Sequence, residues 1–190
     1  MTSGWSAEER ALLLALARQA LEAAVRRAPA PCADGARVYD HSAGAFVTLR
    51  VAGDLRGCVG QIEPARLADL VVHCAGAAAL QDPRFTPVTD RELAGIHIEL
   101  SVLSPLTPLF DPSMLELGRH GLVVATARGS GLLLPQVAAE WGWTADEFLR
   151  QTCLKAGVAA DAWRHGAQLF TFEADIFGET DSSWTPPPPR

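Results

Sequence analysis

Paired cysteines are missing from this chain. Its four, Cys32, Cys58, Cys74 and Cys153, lie far apart, with no CxxC and no histidine at metal-ligand spacing. That argues against a metal site or a disulfide scaffold and leaves free thiols in a reducing compartment as the simplest reading. Positive charge is also short: 16 Lys and Arg stand against 22 Asp and Glu, a formal net charge of -6. No field therefore favours a polyanion, and general binding to nucleic-acid phosphates is not expected. Long apolar runs are absent as well. The most apolar windows, Val71 to Leu80 and Gly121 to Val137, are interrupted by His73 and Arg128 or fall short of the roughly 20 residues a bilayer span needs. The N-terminal segment carries Glu8 and Glu9 where a signal peptide would be basic, and Arg18, Glu22, Arg26 and Arg27 break the apolar stretch behind them. The expectation is a cytoplasmic chain with no membrane span.

What remains is a chain of 190 residues, 48% hydrophobic, enough for one substantial core with room for a small second lobe. Ser6 and Glu9 have capping-box spacing, and Leu13, Leu16, Ala17, Ala20, Leu21 and Ala24 recur at helical intervals, predicting a helix over about 7–27. Phe46 to Val51, a turn at Gly53 and Asp54, and a short strand from Leu55 read as a hairpin. On that strand Arg56 and Cys58 should share one face, with Leu55 and Val59 on the other. Pro64 is placed in the first turn of a helix whose Leu67, Leu70, Val71 and Cys74 form an apolar stripe, which puts Cys74 in the core. Thr89 and Glu92 mark a short helical turn, Ile96 to Val102 alternates as a strand, and Leu122 to Leu134 reads as a second hairpin with its turn at Arg128 to Gly131. Pro135 opens a helix. Thr144 and Glu147 cap the next one, with Trp143 and Phe148 as a hydrophobic staple and Gly157 as its stop. Leu169 to Phe177 reads as one final strand. Hairpins and helices without a regular βαβ alternation predict an α+β fold, a mixed and largely antiparallel sheet flanked by helices over residues 7–178, with 179–190 a disordered, proline-rich tail.

The best candidate site is the run LRGCVG, Leu55 to Gly60. Gly57 and Gly60 let a backbone or a ligand approach closely, and Arg56 on the same expected face as Cys58 would favour the thiolate, the reactive form. The plainer alternative is a small buried cysteine filling space beside two glycines. His120, between glycines before a strand, is a candidate base to Cys58. His97, Glu99 and Ser101 have triad residue types, but on one strand they project at roughly 6.6 Å intervals, too far for direct hydrogen bonds. Glu99 alone is kept as a possible site residue. In DPRF, Asp82 and Arg84 flank a turn-stiffening Pro83 and either bind a ligand or tie a loop to backbone.

Taken together, LRGCVG, DPRF followed by a T-x-x-EL turn, IELSVLSP, GRHGL, LLLPQVAAEWGW and FLRQTCLKAG resemble, in order and spacing, the AMMECR domain family, whose prokaryotic members are called AmmeMemoRadiSam system protein A. The resemblance runs from Ala11 to Gly178, and Val59 replaces the isoleucine of the usual LRGCIG. It implies an α+β fold and association with a Memo-type protein, similar to extradiol dioxygenases, and a radical SAM protein. It also implies a link to RNA modification, which the acidic charge neither supports nor forbids. It implies no established reaction and no cofactor. Three functions follow: a small-molecule-binding or cysteine-dependent enzyme component centred on LRGCVG, with catalytic candidates Cys58, Arg56, His120 and Glu99 and binding candidates Gly57, Gly60, Asp82 and Arg84; a non-catalytic scaffold subunit; or a specific RNA-modification factor.

Overall fold

A computed structural model describes residues 5–179. The proline-rich tail lies outside the described residues. The chain forms two compact units, one reaching Leu103 and resuming at Asp175, the other Ser104–Ala174.

The first unit opens with α1 (Ala7–Arg26), capped by the Ser6–Glu9 box and burying Leu13, Leu16, Ala17, Ala20 and Leu21. β1 (Ser42–Val51) and β2 (Asp54–Arg66) make an antiparallel hairpin. Its turn falls at Ala52 and Gly53, one residue earlier than expected. Both have positive φ, 51° and 90°, the backbone of a tight turn matched to strand twist. α2 (Leu67–Leu80) follows, then a 3-10 turn (Asp90–Gly95) with the Thr89–Glu92 box, and β3 (Ile96–Leu103), antiparallel to β1. A late strand, β8 (Ala174–Gly178), completes the sheet in the order β2-β1-β3-β8. Arg10 grips Asp175 with two 2.9 Å bonds, and Arg18 pairs with Glu179, whose N–H bonds the Ile98 carbonyl.

One face of this sheet is the core. Ala45, Val47 and Leu49 of β1 join Ile98 and Leu100 of β3 and the apolar faces of α1 and α2, Cys74 among them. α1 and α2 lie close because both are small at the contact; a Cβ on Gly76 would sit 3.2 Å from that of Ala24.

β2 corrects two expectations. It is 13 residues long rather than short, and Pro64 lies inside it instead of opening α2. Between Ala43↔Ala65 and Ala45↔Gln61 the register slips, so Pro64 occupies an irregular stretch where its missing N–H leaves no ladder bond unmade. A second slip separates Leu49↔Gly57 from Arg50↔Leu55. It inserts Arg56 as an extra residue and returns Leu55 to the parity of Cys58, so simple alternation no longer sets the side on which Arg56 projects.

The second unit holds β4 (Thr107–Pro108), β5 (Gly121–Thr126), β6 (Gly129–Leu133) and β7 (Gln168–Phe172) in the order β4-β7-β5-β6, with antiparallel pairings. α3 (Pro135–Trp141) begins on its proline, and α4 (Ala145–Lys155) carries the Thr144–Glu147 box and ends before Gly157, at φ 73°. Its core gathers Leu122, Val124, Phe148, Leu149 and Cys153, with Trp143 packed against it. The single strand expected over Leu169 to Phe177 is two, β7 in this sheet and β8 in the other. The fold class stands: α+β, with two antiparallel sheets in place of one mixed sheet.

Candidate functional site

Strand alternation turns Thr48 and Arg50 of β1, Cys58 of β2, and His97, Glu99 and Ser101 of β3 away from the helical core. The register sets them in rows. Thr48 lies opposite Cys58 on one side and Glu99 on the other; Arg50 lies opposite His97. This face is polar and largely buried: Thr48 is 6% and Ser101 1% exposed, and the Arg50 and Glu99 side chains, 3.9 Å apart, are 19% and 13% exposed.

Cys58 is half-buried, and its Sγ accepts a hydrogen bond from the Thr48 hydroxyl at 3.4 Å. Thr48 is the residue that sequence reasoning missed. Its signal was present only as cross-strand register, which the hairpin turn determines and local motif reading does not.

Gly57 builds the other side. It points at α2, where a Cβ would meet the Ala78 carbonyl oxygen at 2.2 Å, so only glycine lets the last turn of the helix lie on the strand. The chain leaves α2 at that point and delivers Asp82 beside the motif. Asp82 Oδ2 accepts the Cys58 backbone N–H at 2.9 Å, and the same carboxylate takes Arg84 Nε at 2.9 Å and Nη2 at 2.7 Å. The Asp82 side chain is only 3% exposed. The Arg84 guanidinium, with lesser help from the Cys58 and Arg84 N–H groups, holds its carboxyl far below the usual range against the opposing effect of burial. Arg84 is pushed up in turn, by its bond to Asp82 first and with a contribution from charge on Cys58. The cation held on the carboxylate that accepts the Cys58 N–H is thus Arg84. Arg56 instead bonds Glu92 at 2.8 Å and lowers that carboxyl to about 2. Phe85 lies under both guanidiniums, 5.4 Å from Arg84 and 6.0 Å from Arg56.

Gly60 is also crowded, since a Cβ there would come within 2.4 Å of the Ala45 oxygen and the Phe46 ring. Neither motif glycine has positive φ. Because Asp82 already claims the Cys58 N–H, that group is not an open oxyanion donor. His120 belongs to the second unit, where its Nδ1 accepts the Glu116 N–H at 3.1 Å and its own N–H bonds the Glu116 carbonyl. Among the described residues no group of three His, Cys, Asp or Glu side chains is arranged to hold a metal ion, and no helix is long and apolar enough to cross a membrane.

Burial pushes Cys74 up to about 11, and burial raises Cys153. Exposed Cys32 is raised too, because its thiol donates to the Asp34 carboxylate at 2.8 Å.

A family model described as AMMECR1 matches residues 14–177. A protein of Thermofilum pendens is 43% identical over 92% of both chains, and one of Methanothermobacter thermautotrophicus is 42% identical over 92% of this chain and 96% of its own. The crystal structure of an uncharacterized protein from Pyrococcus horikoshii superposes with a TM-score of 0.84 at 36% identity, covering 90% of this chain and 92% of that one.

Proposed function

Since this chain belongs to the AMMECR1 family, we propose that its LRGCVG segment forms a small-molecule site in which Cys58 is the reactive group. The observation that carries this reading is the Thr48 hydroxyl on Cys58 Sγ, on a polar sheet face turned away from the core. A cysteine kept only as filler has apolar neighbours on its own face, as Cys74 does. In this reading Thr48 orients the sulfur and Asp82 fixes the motif backbone and Arg84. Gly57 and Gly60 admit the α2 terminus and the Phe46 ring. Glu99 lines the same face behind Thr48. Arg56 is a structural residue through Glu92, and His120 is left without an assigned role. A cytoplasmic location and work alongside a Memo-type protein and a radical SAM protein belong to the same proposal and rest on the family resemblance.

The test is a comparison of small-molecule pools in cells that depend on this protein. Replacing it with Cys58→Ser is expected to change the same metabolites as deleting it. Pools matching the wild type would contradict a Cys58-dependent site. They would favour a second reading, a docking subunit, which has its own observation in the exposed Phe110 and Met114 of the second unit, 94% and 65% accessible.

A further inference from the structure

We infer that Arg56 and Arg84, both packed on Phe85, bind the carboxylate groups of a small organic acid. This names a ligand class for the small-molecule site proposed at LRGCVG and rests on that placement, but it needs no reaction at the sulfur.

Arg56 carries the inference. Its bond to Glu92 uses Nε alone, and neither Nη1 nor Nη2 has a partner among the described residues. Both atoms reach solvent, although only 15% of the side chain is exposed. Arginines that serve the fold spend their donors differently. Arg18, 24% exposed, bonds through Nε, Nη1 and Nη2 to Glu179 and the Leu93 and Ile96 carbonyls. Arg66, 34% exposed, bonds through the same three atoms to Asp40, Asp69 and the Ala33 carbonyl. Arg56 is more recessed than either and leaves its two terminal nitrogens open, a set of donors that calls for an acceptor from outside.

Arg84 supplies a second fork. Asp82 takes its Nε and Nη2 and leaves Nη1 unclaimed on a side chain 55% exposed. The guanidiniums of Arg56 and Arg84 lie 6.0 and 5.4 Å from the centre of the same Phe85 ring, so the two cations are no farther apart than the sum of those distances. Each is fixed from behind. Asp82 is itself held by the Cys58 N–H, and Glu92 by the Thr89 N–H and hydroxyl at 2.8 and 2.9 Å. Forks held in this way have little rotamer freedom left to lose when a ligand arrives.

Shape and charge select the carboxylate. A guanidinium fork matches that planar group with two parallel charge-assisted bonds. Asp82 and Glu92 already balance the two arginines in a chain of net charge -6. One negative charge per fork is therefore accommodated more readily than a phosphate, which concentrates nearly two on one centre.

The test is a titration of the 15N-labelled full chain with succinate at low ionic strength, following the arginine Nε–H signals. Succinate is expected to shift the Arg56 and Arg84 signals saturably. The signal of Arg119, an exposed arginine paired with two carboxylates in the second unit, should stay in place. Arg56→Lys and Arg84→Lys keep the positive charge but lose the fork, and each should weaken binding about tenfold. Thermal melting confirms that the variants fold, and if one does not, the other decides. No saturable shift, the same shifts from sodium chloride at matched ionic strength, or full affinity in the folded variants overturns the inference. Inorganic phosphate binding as tightly as succinate overturns the choice of carboxylate. Alkylation of Cys58 ahead of the other thiols without succinate binding would sink this inference alone, whereas succinate binding beside an inert Cys58 would sink the reactive-thiol reading alone.

Discussion

A Cβ on Gly57 would stand 2.2 Å from the Ala78 oxygen, a backbone atom that cannot move without shifting the end of α2. Gly57→Ala should therefore cost roughly 1–3 kcal/mol or more by overpacking, while Cys58→Ala removes one half-buried sulfur and costs less. Thermal midpoints of the two variants check the order, and equal loss would mean the helix is not seated on the glycine. Acid should expose the two carboxylates that hold the site. The folded Asp82 and Glu92 carboxyls both lie below their unfolded value of about 4, so each contributes stability that is fully present above that value and lost as pH falls through the folded one, about 2 for Glu92. The gap in thermal midpoint between the wild type and Asp82→Asn or Glu92→Gln should be wide near neutrality and should close as pH falls below about 4. A gap unchanged in acid would contradict the two Arg–carboxylate locks. Ser101→Ala should be neutral or stabilising in the unliganded protein, because it deletes a buried hydroxyl with no partner; a clear drop in thermal midpoint would mean that the hydroxyl is satisfied in solution.

At the scale of elements, the helices were legible and the long strand was not. All three capping boxes, Ser6–Glu9, Thr89–Glu92 and Thr144–Glu147, form as their spacing implies, because the hydrogen bonds that make them are local. Thr144→Ala should accordingly cost about 1 kcal/mol, measurable by denaturant unfolding. β2 depends on distant chain. Its bulge at Arg56 appears where α2 presses on Gly57, a contact between residues some twenty positions apart that no alternation rule contains. Reading Leu55 to Val59 as a regular strand missed the bulge at Arg56, the Asp82–Arg84 pair on the Cys58 N–H and Thr48 as the sulfur's donor.

For the molecule as a whole, Leu169 to Phe177 shows what pattern alone leaves open. Both halves of that run have β character, but the chain crosses from one sheet to the other between Phe172 and Ala174, and the choice of sheet is set by partners such as Leu122 and Ile98 that lie far away in sequence. The same limit applies to the site: LRGCVG and DPRF each stood out, while their union through Asp82 required the fold. The central claim, that this union makes Cys58 the reactive thiol, is tested most directly by limited alkylation of the native protein with iodoacetamide near neutral pH, followed by peptide mapping. Cys58 is predicted to be modified first, ahead of the more exposed Cys32, whose thiol is tied to Asp34, and well ahead of buried Cys74 and Cys153. Modification of Cys32, Cys74 or Cys153 before Cys58 would contradict the account.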